Sequence, residues 1–238
     1  MQKIFEQSPQ RYVRIGGALY LLIILLGLFG ETISRGTIVF PGDAKATAEA
    51  IGASRMLWAG GIVGDLLMQL LDLPVIVVFY LLLKRVNAGL NLTATFTNLI
   101  QTAVLAANKL TLILPLLLLS GADYLAAVPS EQLHALAYLS INLHAYGFAV
   151  GLIFFGVACL LRGFLIYQSG YFPKILGLMQ AFAGLCYLVN SLALILAPSF
   201  AAQLVPGIFL PILLGELALA LWMLIKGINL QKWSGQAN

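Results

Sequence analysis

Six long apolar stretches, each of the roughly 20 residues or more that a helix needs to cross a bilayer, alternate along the chain with short polar connections. The pattern predicts spans over residues 12–33, 56–83, 92–121, 133–161, 173–197 and 206–226. The resulting fold class is all-α, a polytopic transmembrane helix bundle forming one domain over residues 1–238. The longest connection, residues 34–54, holds Pro41-Gly42 for a turn and Asp43 as an N-cap. It predicts a short Ala-rich helix over 44–51, closed by Gly52 and lying on the outer surface. Pro74 removes one backbone hydrogen bond from the second span and predicts a kink beside Asp72.

Composition strengthens this reading. Of 238 residues 61% are hydrophobic and only 9% charged, whereas a soluble domain is about a quarter charged. The net charge of +4 is small and its basic residues sit at span ends, so nucleic acid is not an expected partner. Nine of the thirteen Lys and Arg fall at the N-terminus, at Lys84-Arg85, between Arg162 and Lys174, and between Lys226 and Lys232. An even number of spans puts them on one side, which predicts cytoplasmic N- and C-termini. The first span lacks a small-x-small cleavage pattern and reads as retained. Cys159 and Cys186, at different depths, read as inert thiols.

The chemistry lies in polar residues inside the apolar runs. Asp65, Gln69 and Asp72 project from one face of the second span, over about 10 Å of helix. In the third span Asn98, Gln101, Thr102, Leu105, Asn108 and Lys109 form a polar side. His144 shares a stripe with Ser140, Gly147 and Gly151, and the fifth span carries Gln180, Tyr187, Asn190 and Ser191. Counted from the outer ends, Asp65, Lys109, His144 and Glu216 lie about 15–18 Å in and form one expected layer. Asn190 lies nearer the outer face, while Asp72 and Gln101 lie deeper. Asp72 then has Gln101 as its one plausible neighbour.

Pro41-Gly42-Asp43-Ala44, the Asp65–Asp72 stretch, Leu143-His144-Ala145-Tyr146-Gly147 running on to Phe154-Phe155-Gly156, and Ser169-Gly170-Tyr171-Phe172-Pro173-Lys174-Ile175-Leu176-Gly177 together resemble the bacterial membrane-protein family known as domain of unknown function 4386. The similarity runs from about Arg14 to Asn229. It implies a multi-pass protein of the bacterial inner membrane and carries no activity over to any residue.

Three functional readings compete. In the first, Lys109 pairs with Asp65 or Glu216, His144 and Asn190 satisfy hydrogen bonds, and the network fixes which helices are neighbours. In the second, an outward-opening pocket lined by Asp65, Gln69, Asp72, Lys109, His144, Asn190 and Glu216 binds or passes a small molecule, a lipid, a cation or protons. The third is an intramembrane hydrolase in which His144, Asp65 and Glu216 hold a divalent metal that activates water. No HExxH or GxSxG motif accompanies that set, and a bis-histidine haem lacks a second histidine at a matching depth. Beyond the lipid bilayer as partner, the sequence assigns no cofactor and no oligomeric state.

Overall fold

In a computed structural model, which describes Phe5 and residues 7–235, the chain is helical throughout, with no strand among the described residues. Helix α1, Pro9–Leu28, starts on a proline, whose missing N–H is unneeded in a first turn. It continues through a π-helical segment, Phe29–Arg35, and a last turn, Gly36–Ile38. Asp43 caps α2, Ala44–Ala53, by accepting a hydrogen bond from the Ala46 N–H at 2.9 Å. Helix α3, Arg55–Leu83, is one unbroken helix across Pro74. Asn87 caps α4, Ala88–Asn108, and a break at Lys109 separates it from α5, Leu110–Leu118.

Helix α6, Ser130–Ser169, is the longest at 40 residues and stops at Gly170, whose φ of 70° ends the helix in the left-handed region. Helix α7 spans Lys174–Leu196. The short α8, Pro198–Leu204, and α9, Phe209–Ile225, are bent by 57° relative to each other. A final turn and a half, α10, covers Leu230–Ser234. Five helical segments are long and apolar enough to cross a membrane, or six if the bent α8–α9 pair is one span.

Small residues set the closest helix contacts. A methyl group on Gly163 would lie 2.6 Å from the Gly177 carbonyl oxygen, and one on Gly184 would lie 2.7 Å from that of Gly156. The pairs 163·177 and 156·184 are one antiparallel register, folded about Gly170, so α6 and α7 touch backbone to backbone. Gly17 does the same for α1 against α9, where a methyl would overlap the Leu224 backbone nitrogen. The apolar core divides along the bundle. One cluster, with Val13, Leu82, Leu165, Leu219 and Met223, lies toward the chain termini; another, with Ile38, Ile51, Trp58, Leu112 and Ile141, lies toward the opposite end. Leu25, Val63, Leu70, Leu196 and Leu210 are exposed, as lipid-facing side chains would be.

Candidate functional site

The intramembrane polar residues form two clusters at different heights, where the sequence suggested one layer. The first is centred on Asp65 of α3, which is 1% exposed. Lys109 Nζ donates to its Oδ2 at 2.8 Å and Arg35 Nη1 donates to the same oxygen at 2.7 Å. Arg35 also pairs through Nε with Glu31, four residues earlier, at 3.1 Å. The π-helical segment brings Arg35 inward, since each such turn takes an extra residue and shifts the phase of the residues after it. Gly30 makes room for it: a methyl there would lie 2.5 Å from Asp65 Oδ1. Arg35 therefore faces the bundle and pairs with Asp65 as well as with Glu31.

Lys109 sits at the break between α4 and α5, with its ammonium 5.8 Å from the Phe148 ring. Beside it, Asn108 Nδ2 donates to His144 Nδ1 at 3.0 Å and to the His144 carbonyl oxygen at 2.9 Å. His144 Nδ1 also lies 3.4 Å from the Asn108 carbonyl oxygen, so it accepts from the carboxamide in one tautomer and donates to the carbonyl in the other. Thr111 Oγ1 is 3.2 Å from the same nitrogen. Asp65, Lys109 and His144 thus come together as the sequence suggested, each with a direct protein partner.

Glu216 does not join them. Its Oε1 accepts from the Tyr187 hydroxyl at 2.8 Å, and it belongs to a second cluster nearer the termini. The expected depth rested on a straight span counted inward from residue 206, whereas α8 and α9 are bent by 57° and α9 starts at Phe209, so the count did not fix the height of Glu216. The metal set His144, Asp65 and Glu216 is consequently not assembled, and among the described residues no three His, Cys, Asp or Glu side chains are placed to hold a metal ion.

The second cluster is drawn from all six long helical segments. Asp72 of α3 accepts from Thr102 Oγ1 at 2.6 Å and from Asn98 Nδ2 at 2.9 Å, both on α4. Gln101 reaches this group through Asn98, whose Nδ2 also donates to Gln101 Oε1 at 2.8 Å. Arg162 of α6 donates from Nη2 to Asn98 Oδ1, and its guanidinium carbon lies 4.2 Å from the centre of the Phe79 ring. It is 4% exposed. Its charge acts on Asp72, Glu216, Tyr20 and Cys159, so Asp72 does have a basic neighbour. Gln180 of α7 donates to Cys159 Sγ at 3.1 Å. Tyr20 of α1 completes the ring of helices, with its ring edge-on to Phe79.

Several buried polar atoms around these clusters lack a protein partner: Tyr20 Oη, Gln180 Oε1, Gln69 Oε1, Asn190 Oδ1 and Ser191 Oγ. A buried polar atom without a hydrogen bond costs about 1–3 kcal/mol. Tyr20 and Gln180 lie next to each other and face the same interior as Glu216 and Arg162, while Asp72 and Glu216 themselves are only half-buried. Two surface concavities lie elsewhere, one bordered by Gln7, Gln10, Arg11 and Arg14, the other by Tyr171, Trp222, Lys226 and Lys232. Neither includes a residue of the two clusters.

Arg162 is the central residue that sequence reasoning missed. A basic residue after an apolar run suggested the end of a span, but Phe164-Leu165-Ile166 continues the run and α6 extends to Ser169. The steps Phe148, Gly151, Phe155, Cys159, Arg162 and Ile166 follow one helical face down from His144, and that periodicity was available as a signal.

A helical bundle with five or six membrane-length apolar segments and an interior lined by carboxylates, a guanidinium and amides is a multi-pass membrane protein. The chain belongs to the family described as domain of unknown function (DUF4386), whose model matches residues 15–227. An uncharacterized protein of Archaeoglobus fulgidus is 29% identical over 172 residues, covering 72% of this chain and 86% of that protein. No solved structure matches.

Proposed function

We propose that this protein crosses a cytoplasmic membrane six times, with both termini in the cytoplasm and α2 on the outer surface, and that its interior binds or passes a small polar solute, cation or protons. The side preference of the basic residues supports the orientation. The site is the cluster of Asp72, Asn98, Arg162, Tyr187 and Glu216. The observation that carries this reading is that Tyr20 Oη and Gln180 Oε1, buried beside the charged groups and next to each other, have no partner within hydrogen-bond distance, which leaves polar space that water or ligand satisfies.

Radiolytic footprinting of the full chain in lipid nanodiscs tests it. Tyr20 and Tyr187 become oxidised by radicals born from interior water, while fully buried Met223 stays unmodified. If both tyrosines are as protected as Met223, the interior is dry and the reading fails.

A second reading applies to the Asp65 cluster alone. Its members are buried and directly paired, which favours a structural tie between the first span, α3 and the α4–α5 junction.

A further inference from the structure

The formal charges of the interior site do not balance: it holds two carboxylates, Asp72 and Glu216, and one guanidinium, Arg162. A charge left uncompensated near the centre of a membrane costs about 2.5–3.5 kcal/mol even on the mildest scale. Something with a single positive charge would remove that cost.

The hydrogen bonds divide the carboxylates. Asp72 Oδ2 receives two donors, Thr102 Oγ1 and Asn98 Nδ2, and the Asn98 carboxamide is held at its other end by Arg162. An oxygen with two donors and a cation one amide away is arranged as an anion. Asp72 and Arg162 thus form an ion pair relayed through Asn98. Glu216 is the remaining charge, and a single hydroxyl, that of Tyr187, serves it. Because a phenol can donate or accept, Tyr187 can remain bonded to Glu216 whether that carboxyl carries a proton or not.

A metal cation fits this surrounding badly. The Arg162 charge acts on Glu216, and the groups aimed at the two carboxylates are donors, not lone pairs. A proton fits, since it needs one carboxyl oxygen and no converging ligand set. The groups that face Glu216 are Tyr20 from α1, Asp72 from α3, Arg162 and Cys159 from α6, and Tyr187 from α7.

Resting on the interior-site reading above, we infer that the ligand of this site is the proton and that Glu216 is the group that takes it up and releases it. An O–H bond forms on the Glu216 carboxylate as a proton arrives from water and breaks when the proton leaves to water. Tyr187 stays within hydrogen-bond distance throughout, and Tyr20 and Gln180 provide polar atoms for the water that connects the site with solvent.

Infrared spectroscopy of the full chain in nanodiscs at neutral pH tests the inference. The expected result is a carboxylic-acid C=O band that moves in D2O, shifts with carbon-13-labelled glutamate but not with labelled aspartate, disappears in Glu216→Gln and survives in Asp72→Asn. Isotope labelling keeps the test decisive if a variant fails to fold. Absence of the band in the unaltered protein, or a shift with labelled aspartate instead, overturns the proton assignment. If footprinting shows a wet interior while the band is absent, the site stands and takes a different ligand; tyrosines protected from footprinting overturn the site itself.

Discussion

At the level of single residues, the two clusters differ in how their charges are compensated. Asp65 serves two cations; among the described residues Lys109 pairs with Asp65 alone, whereas Arg35 pairs with both Asp65 and Glu31. Removing Asp65 leaves a buried ammonium without a counter-charge, an outcome worth about 3–5 kcal/mol. Removing Lys109 leaves Asp65 still paired with Arg35. Asp65→Asn is therefore expected to lower the Tm in detergent much more than Lys109→Met, and the double variant to recover part of the loss. Equal effects would show that Arg35 does not compensate Asp65. Arg162→Met leaves the relayed Asp72 charge unmatched and removes the contact with Phe79; Asp72→Asn combined with it should restore thermal stability that Arg162→Met alone loses. The contact between Asp65 and Lys109 was legible because both lie at one depth and carry opposite charge. Arg162 was not, because at the edge of an apolar run a basic residue reads equally well as an anchor at the interface, and only its helical partners reveal that it is buried.

At the level of elements, the helical nature of the chain was legible throughout, since apolar runs of this length allow little else in lipid. The errors lay in where helices stop and how they turn. The π-helical segment Phe29–Arg35 leaves no mark in a pattern of hydrophobicity, yet it decides that Arg35 faces inward. The bend between α8 and α9 likewise leaves no mark in composition, so residue counting did not fix the height of Glu216. Gly177 and Gly184 stand seven residues apart and so share a face of α7, but the matching register on α6 emerges only once Gly170 is known to be the fold point. Gly163→Ala is expected to destabilise the α6–α7 hairpin, because the new methyl group meets the Gly177 carbonyl and the Ala181 nitrogen at 2.6 Å, both of them backbone atoms. Gly52→Ala on α2 provides the contrast. Its methyl has open space, and the exchange should stabilise the helix by about 1 kcal/mol. Thermal unfolding of both variants in one detergent compares them directly.

At the level of the whole molecule, the proposed orientation makes a simple prediction: a fluorescent reporter fused after residue 238 matures in the cytoplasm, and an alkaline phosphatase fused at Asp43 is active outside. Reversal of either result would invert the bundle and place the Asp65 cluster on the cytoplasmic side. The Arg162 contacts carry a different consequence, one for synthesis. Phe79, Asn98 and Asp72 all precede Arg162 in the chain, just as Asp65 precedes Lys109. As the ribosome extends the chain, Lys109 and Arg162 emerge after these groups have already been made, whereas Arg35 emerges before Asp65. A nascent α6 can thus leave the insertion machinery against a waiting surface, and the order of the helices in the gene becomes part of how the molecule admits an arginine to the membrane.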